Sequence, residues 1–375
     1  MQIVSVVGTR PQLIKAAALS PVLRARHDEV LVDTGQHYDD EMAGTFYREL
    51  GLPAPDHSLG AGGGSHAEQT AAMLVGLESI FAIHQADAVL IYGDTNSTLA
   101  GALVAAKAGL PVAHVEAGLR SFDRRMPEEI NRVVADHLSR WLFAPTPTAV
   151  ENLRAEGITR GVVLVGDLMQ DLAARVGREV ATAGALAVAG RRLGTAIPDL
   201  DLQPGAYLFA TVHRAENRQP AALRSWSALL DRVARPDRPV ILAIHPGTRL
   251  ALEREGIGLA RDVRLVDPQG YRTSLTLQMH AAAVITDSGG VQREAAWLGV
   301  PCLVLRGTTE WVEAVANSAG RMVVVGLDDS KAEQALAELA PPDRSAELAR
   351  GRAAAFDLAP AGAADAIVAA LEAAG

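Results

Sequence analysis

Short apolar runs separated by longer helical patterns dominate the first half of the chain. The first run, residues 3–7, is followed by Gly8-Thr9-Arg10-Pro11 and by a pattern that predicts a helix over residues 12–26. Continuous apolar runs are typical of parallel strands buried on both faces, and parallel strands need long crossovers. Further strands are predicted at residues 29–33, 88–92, 111–115, 141–143 and 162–165. Residues 40–50 and 66–85 are predicted as helices, and residues 53–65 as a Gly- and Pro-rich loop.

The second half repeats this alternation after one predicted helix over residues 171–193 and a linker over 197–205. Its strands are predicted at residues 207–212, 239–244, 263–266, 281–285, 302–305 and 321–325. Strand–helix alternation in two halves predicts the α/β class, with two doubly wound Rossmann-like domains facing each other across a cleft. We expect residues 1–170 and 171–357 to form the domains, and a helix in 358–375 to pack back on the first.

Polar residues gather where the predicted strands end. Asp94 and Glu116 follow consecutive strands of the first half, and His213 and His245 follow strands of the second. Ligands of open α/β sheets bind at this edge, so the two acids are candidates for acid–base chemistry. A helix cap for Asp94 and a loop salt bridge for Glu116 are the structural alternatives.

Residues 284–299 combine a strand, a Gly-Gly turn and a helix start. Ser288 is placed to cap the helix, while Gly289 and Gly290 allow a tight turn and close approach of a ligand. The free N–H groups and the positive end of the helix dipole can hold an anion such as a phosphate. An ordinary strand-to-helix turn with a serine cap is an equally good interpretation of this stretch alone.

Two basic and two acidic residues have competing interpretations. Arg10 and Lys15 follow the first strand, where they can hold a phosphate or pair with an acid, or simply line a solvated helix face. Glu128 and Glu129 follow Pro127, and acids in the first turn after proline are sufficient helix-start chemistry by themselves.

Composition narrows the function classes. The 375 residues are enough for two domains, and a formal charge of −9 without a basic run argues against a nucleic-acid partner. The lone Cys302 lies in an apolar run and excludes an intrachain disulfide framework. No apolar run approaches a membrane-spanning length, and no signal-peptide pattern is present, so we expect a cytoplasmic protein without a membrane partner. Neither a dinucleotide fingerprint, nor a phosphate loop, nor metal-type spacing is found, so no cofactor and no metal are expected.

Taken together, the motifs resemble those of the UDP-N-acetylglucosamine 2-epimerase family, which has the GT-B architecture. The matching runs are residues 7–11 with Lys15, 93–95, 114–120, 127–129 with Asn131 and Arg132, 213–214, 267–269, 286–290 with Glu294, and 308–310. They extend over the chain from end to end in order. Each run alone is a weak signal of the family, and the runs together are a highly specific one.

The resemblance implies a reaction in which UDP leaves C1 of the sugar as the C2 proton is removed, followed by re-addition of UDP with protonation from the other face. It implies Asp94, Glu116 and Glu128 as acid–base carboxylates, without saying which removes and which returns the proton. Lys15 would act near them, and His213 would assist the leaving phosphate. The implied UDP-binding residues are Arg10, His245, Tyr271, Ser288, Gly289, Gly290 and, for the ribose, Glu294. A UDP-sugar substrate and a homodimer are also implied.

Departures from the family pattern bear on regulation and substrate. Gln12 replaces a glutamate, and Gln36-His-Tyr-Asp-Asp40 replaces a motif that holds an effector in allosterically regulated bacterial members, so we expect that regulation to be absent. The variant loop at 121–126 and Trp311 are similar to the branch acting on UDP-2,3-diacetamido-2,3-dideoxyglucuronate, or to members acting on other variant substrates. Arg124 and Arg125 could pair with a sugar carboxylate or belong to a solvated loop. A hydrolysing epimerase, a GT-B glycosyltransferase and a nucleotide-sugar sensor remain alternatives.

Overall fold

The computed structural model describes residues 1–36, 47, 49–193, 197, 201–307, 315–316, 318, 320–339 and 362–373. The chain divides into two compact units, one of residues 1–172 with 359–375 and the other of residues 173–358. Most of the predicted helix over residues 40–50 lies outside the described residues. So do the variant residues 37–40, the motif at 308–310, and Trp311.

The first unit is built on a seven-stranded parallel sheet in the order β3-β2-β1-β4-β5-β6-β7. Its strands are β1 (Gln2–Val7), β2 (Asp28–Asp33), β3 (His57–Ser58), β4 (Ala88–Tyr92), β5 (Val112–Val115), β6 (Trp141–Ala144) and β7 (Val162–Leu164). The helices that follow them are α1 (Arg10–Arg24), α2 (His66–His84), α3 (Asn96–Lys107), α4 (Pro127–Leu138) and α5 (Pro147–Ala155). The strand order reverses between β1 and β4, which makes their carboxyl ends a switch point of the kind that binds ligands.

The second unit contains a six-stranded parallel sheet in the order β10-β9-β8-β11-β12-β13. Its strands are β8 (Leu208–Val212), β9 (Val240–Ile244), β10 (Val263–Val266), β11 (Ala283–Thr286), β12 (Cys302–Val304) and β13 (Met322–Val324). After α6 (Leu168–Val180), its helices are α7 (Ala183–Leu193), α8 (Pro220–Val233), α9 (Pro246–Arg254), α10 (Tyr271–His280), α11 (Gly289–Trp297) and α12 (Asp329–Glu338). The switch point of this sheet lies between β8 and β11.

The helix α13 (Ala363–Ala373) packs against α1 of the first unit. Asp171 holds its start, because the two carboxylate oxygens accept hydrogen bonds from the backbone N–H groups of Gly362 and Ala364, each at 2.9 Å. The chain therefore returns to its first unit after completing the second.

Apolar strand runs explain why both sheets form. Every residue of β4 is buried, as expected for a parallel strand covered on both faces. In the second unit, Trp226 on α8 is fully buried, and its indole N–H donates to the carbonyl oxygen of Asn217 at 2.9 Å. Cys302 is buried in β12, as predicted, and burial raises the pKa of its thiol to about 12. The α/β class with two parallel sheets is confirmed.

Two local predictions were wrong. The helix expected over residues 171–193 is broken into α6 and α7, because Thr182 caps a new helix by accepting a hydrogen bond from the backbone N–H of Ala185 at 3.3 Å. The loop expected over residues 53–65 contains the two-residue edge strand β3, in which His57 pairs with Val32. So short a strand depends on its neighbour and carries no apolar pattern of its own.

Candidate active site

The carboxylates of Asp94 and Glu116 lie at the ends of β4 and β5, which are neighbouring parallel strands. Lys15, on α1, forms an ion pair with Glu116, and both side chains are largely buried. Gly93 separates β4 from Asp94, and a β-carbon added there would lie 3.3 Å from Oε2 of Glu116 and 3.6 Å from Nζ of Lys15. The structure thus brings Lys15, Asp94 and Glu116 together at the predicted edge.

Asp94 carries the perturbed carboxyl group of this cluster. Burial raises its pKa, the nearby charge of Glu116 adds to that effect, and the guanidinium of Arg132 opposes it. Arg132 projects from α4 and is hydrogen-bonded to Asp94. A raised pKa means that the carboxyl group keeps its proton to a higher pH than an ordinary aspartic acid, which suits the return of a proton to a substrate.

Backbone strain coincides with the same residues. Glu116 has φ of 72°, a left-handed conformation that residues other than glycine rarely adopt. Its backbone N–H donates to the carbonyl oxygen of Phe143 at 3.1 Å, which fixes this turn against β6. Such outliers gather at functional sites because the surrounding structure must hold them.

The two glutamates at the start of α4 have separate environments. Glu129 is buried and accepts hydrogen bonds from the N–H and hydroxyl of Ser121 and the N–H of Phe122, at 2.9 to 3.0 Å. Burial opposes its ionisation, yet these bonds and Arg132 lower its pKa. Glu128 is exposed in the first turn and has no hydrogen bond or ion pair with another described residue. The contacts therefore do not tie Glu128 to the cluster of Lys15, Asp94 and Glu116.

Arg10 and the arginines of the loop at 121–126 lie on the surface of the first unit. Arg10 is exposed at the first residue of α1. Arg125 pairs with Asp123 at 2.8 Å, and this pairing lowers the pKa of Asp123 to about 2. Of the two interpretations of the loop arginines, this geometry favours the solvated loop for Arg125.

In the second unit, His213 follows β8 and lies against the fully buried Asp287 at the end of β11. Nδ1 of His213 is 3.1 Å from Oδ1 of Asp287. The same carboxylate accepts hydrogen bonds from the backbone N–H of His213 and Arg214 and from the side-chain amide of Asn217, at 2.8 to 3.2 Å. Burial opposes ionisation of Asp287, but the imidazole of His213 and these donors lower its pKa.

Asp287 was missed as a functional residue in the sequence. The rule that selected Asp94 and Glu116 applies equally to it, because it is an acid that follows β11. Arg132 was also given no role, because its partner Asp94 is 38 positions away and no local spacing connects them.

The Ser-Gly-Gly segment forms the strand-to-helix turn that was predicted. Ser288 caps α11, its hydroxyl accepting from the backbone N–H of Val291 at 3.4 Å. Gly289 and Gly290 are the first residues of α11, and neither has positive φ. The two glycines therefore contribute by lacking a side chain, which leaves the N–H groups at the start of α11 open to an anion.

The remaining predicted UDP-binding residues lie around the same sheet. Glu294 is buried on α11 and accepts a hydrogen bond from the amide of Gln278 at 2.7 Å. Tyr271 is the buried first residue of α10. His245 caps α9, with Nδ1 accepting from the N–H of Gly247 at 3.1 Å, and its pKa is lowered by burial and by the nearby charges of Arg218 and His213.

Neither a metal site nor a membrane span is found in the part of the chain that the structure describes. No group of three or more His, Cys, Asp or Glu side chains there is arranged to hold a metal ion. None of the described helices combines the length and the apolar character needed to cross a bilayer.

Comparison with known proteins identifies the family. The family model described as UDP-N-acetylglucosamine 2-epimerase matches residues 22–372. The chain belongs to this family. A UDP-N-acetylglucosamine 2-epimerase homolog of Methanococcus maripaludis is 42% identical over 345 residues, covering 91% of this chain and 93% of the relative. A UDP-2,3-diacetamido-2,3-dideoxy-D-glucuronate 2-epimerase of Pseudomonas aeruginosa is 43% identical over 334 residues, covering 88% and 90%.

A solved structure of the family supports the same assignment. The Methanocaldococcus jannaschii UDP-GlcNAc 2-epimerase, in complex with UDP-GlcNAc and UDP, is similar with a TM-score of 0.79 and 36% identity. The match covers 92% of this chain and 94% of that one. The epimerase family therefore matches this chain in fold as well as in sequence.

Proposed function

We propose that this chain is a non-hydrolysing 2-epimerase that interconverts UDP-N-acetylglucosamine and UDP-N-acetylmannosamine. The observation that carries the proposal is the pairing of two carboxylates at neighbouring strand ends, Glu116 with Lys15 and Asp94 with Arg132. A carbon acid as weak as C2–H requires a well-placed base, and inversion at C2 requires a proton donor for the other face.

The reaction divides into elimination and re-addition. In the first step the C2–H bond breaks, its electron pair forms the C1=C2 double bond, and the C1–O bond breaks so that UDP departs as an anion. The proton remains on a protein carboxylate, and the sugar becomes 2-acetamidoglucal. Re-addition of UDP to C1 with protonation of C2 from the opposite face completes the inversion, so atoms and charge balance.

Residues of the first unit are proposed for the proton transfers. Asp94 suits the group that holds a proton, because burial raises its pKa. Glu116, held by Lys15, suits the group that accepts one. Glu128 remains a proposed third carboxylate, and its exposure would require the substrate to bring it into contact.

Residues of the second unit are proposed for the diphosphate and ribose. The N–H groups at the start of α11, with Ser288 and the two glycines, would stabilise the negative charge on departing UDP. His213, oriented by Asp287, would donate to the leaving phosphate. Glu294 would bind the ribose hydroxyls. Arg10, His245 and Tyr271 would complete the UDP contacts.

A second substrate, UDP-2,3-diacetamido-2,3-dideoxyglucuronate, is favoured by one observation, the 43% identity to the Pseudomonas aeruginosa enzyme named for it. Its epimerisation would use the same elimination and re-addition, since the reacting carbons are the same. The two substrates differ in the C3 acetamido and the C6 carboxylate groups.

Proton NMR in heavy water tests the proposal with both UDP-sugars as substrates. We expect the C2 proton of one sugar to exchange for deuterium while the 2-epimer accumulates and UDP stays bound in the nucleotide sugar, and EDTA should leave the rate unchanged. Accumulation of free UDP with N-acetylmannosamine would instead establish a hydrolysing epimerase. Binding without exchange would establish a sensor, and UDP release only with an added acceptor would establish a glycosyltransferase.

We also propose a homodimer located in the cytoplasm, on the strength of family membership. Light scattering during size-exclusion chromatography measures the mass directly. A mass of one chain at micromolar concentration would contradict the dimer.

A further inference from the structure

His114 is the wholly buried histidine of β5, two residues before Glu116. Its Nε2 lies 2.7 Å from the carbonyl oxygen of Gly93, and its Nδ1 lies 2.7 Å from Oδ1 of Asp136 on α4. Neither ring nitrogen faces a substrate space, so the histidine does not belong to the groups proposed to contact the sugar. It joins the residue that precedes Asp94 to the helix that carries Arg132.

The two partners of His114 hold both ring nitrogens in hydrogen bonds. A carbonyl oxygen can only accept, so Nε2 carries a hydrogen. Asp136 is a carboxylate whose ionisation burial opposes, but His114 and Arg120 lower its pKa. Nδ1 and the Asp136 carboxyl group share the second hydrogen bond, and the ring is held between its two partners.

Asp136 extends the connection to the other side of Glu116. Its Oδ2 accepts hydrogen bonds from the backbone N–H of Gly118 at 3.1 Å and from Arg120 at 2.7 Å. Arg120 in turn pairs with Glu156 at 2.7 Å. One buried pair of side chains thus holds the backbone immediately before Asp94 and two residues after Glu116.

Both held segments have backbone conformations that need external support. Gly93 has φ of 60°, and Glu116 has φ of 72°. A change in either turn would swing the attached carboxylate, and a displacement of about 1 Å at a reacting group can reduce a rate by roughly 10²-fold. Resting on the proposed function, we propose that His114 and Asp136 are positioning residues that set the relative placement of the Asp94 and Glu116 carboxylates.

Two isosteric variants separate the connections. In His114→Gln the amide nitrogen takes the place of Nε2 and keeps a donor for the Gly93 carbonyl. In His114→Asn it takes the place of Nδ1 and keeps only the donor for Asp136. We expect His114→Asn to lower kcat by roughly 10- to 100-fold with KM little changed, and His114→Gln to retain more activity.

Controls distinguish positioning from general loss of structure. UDP affinity, measured by calorimetry, should be unchanged in both variants. His137→Gln alters an exposed histidine of α4 whose Nε2 is 3.6 Å from Oε2 of Glu156, and it should behave as wild type. The proposal is overturned if kcat per UDP-binding molecule is unchanged in His114→Asn, or if kcat and UDP affinity fall together in both variants.

A spectroscopic measurement requires no substrate. Nitrogen-15 NMR of the histidine rings should show a directly bonded hydrogen on Nε2 of His114, and Asp136→Asn should shift the Nδ1 resonance while that hydrogen stays on Nε2. A wild-type ring without a hydrogen on Nε2 would overturn the proposed geometry. If the wild-type enzyme epimerises neither UDP-sugar, the proposed function fails, while the NMR result still decides whether His114 joins Gly93 to Asp136.

Discussion

The fully buried carboxylate of Asp287 lies 3.1 Å from Nδ1 of His213, whose side chain is 45% exposed. An ionised carboxylate accepts, so Nδ1 of His213 donates to it, and a hydrogen on Nε2, which donation to the leaving phosphate requires, gives the ring a positive charge that Asp287 stabilises. Because the same carboxylate also accepts from the backbone N–H groups of His213 and Arg214, ring and loop are fixed together. His213 is consequently a preorganised group rather than a loose surface histidine.

Replacing Asp287 by asparagine should disturb the protonation state of His213. The amide has no charge to stabilise a positively charged ring and can donate toward Nδ1, which leaves a neutral ring that is a weaker donor to the phosphate, and the expected loss in kcat is roughly 10²-fold. UDP affinity should change much less. Ring nitrogen-15 shifts report the protonation state, and isothermal calorimetry reports UDP binding. Asp329→Asn is the matched control, because that carboxylate is on the same unit in an exposed pair with Arg232. An unchanged protonation state with unchanged kcat would contradict this account.

The hydrophobic pattern was sufficient to predict the strands of the sheets. It was not sufficient to predict the contacts of the residues at the strand ends. Strands such as β4 are continuous apolar runs, and the acids that follow them were recognised because parallel strands end at one edge. Asp94 and Glu116 were found in this way. Their partners Arg132 and Lys15 come from helices far away in sequence, and only tertiary packing determines which cation meets which acid.

Local chemistry accounts for the errors in element boundaries. Alanine-rich sequence has high helix propensity throughout residues 171–193, so propensity alone continues the helix. The cap at Thr182 competes with that preference and ends α6. No sequence pattern predicts the edge strand β3, because two residues cannot show alternation and the pairing of this strand depends on β2.

Asp94→Asn should stabilise the protein while inactivating it. The folded pKa of Asp94 is raised by burial, so the folded state holds the proton more tightly than the unfolded chain does. Stability therefore decreases as the pH rises from the unfolded value, about 3.9, through the folded one, and the full cost is present above the folded pKa. Asparagine does not ionise and avoids that cost.

Scanning calorimetry checks the predicted gain in stability of Asp94→Asn. The unfolding temperature of Asp94→Asn should exceed that of wild type at pH 7.5, and the difference should shrink as the pH is lowered toward 4. Deuterium exchange at C2 should fall by roughly 10²-fold or more. A lower unfolding temperature at pH 7.5 would show that the contact with Arg132 outweighs the burial of the charge.

Breaking the Lys15–Glu116 ion pair should be costly, because both side chains are largely buried. Lys15→Met leaves an uncompensated carboxylate and should reduce the free energy of unfolding by about 3 kcal/mol. Adding Glu116→Gln removes that charge, so the double variant should regain most of the stability while remaining inactive. Denaturant unfolding of the two variants measures the difference.

Arg26→Met, in an exposed pair with Glu372, is the control and should cost less than about 1 kcal/mol. No recovery in the double variant would refute the charge argument.

Asp171 should control the attachment of the C-terminal helix. Its two oxygens accept from the N–H groups of Gly362 and Ala364, so it caps α13 from a position 191 residues earlier in the chain. Asp171→Ala leaves both N–H groups without this acceptor, and the loss of a helix cap costs about 1–2 kcal/mol. Hydrogen exchange should therefore accelerate across Ala363–Ala373. Glu372→Ala, which removes an exposed ion pair on the same helix, should leave that exchange nearly unchanged. Equal protection of α13 in wild type and Asp171→Ala would mean that packing against α1 alone holds the helix in place.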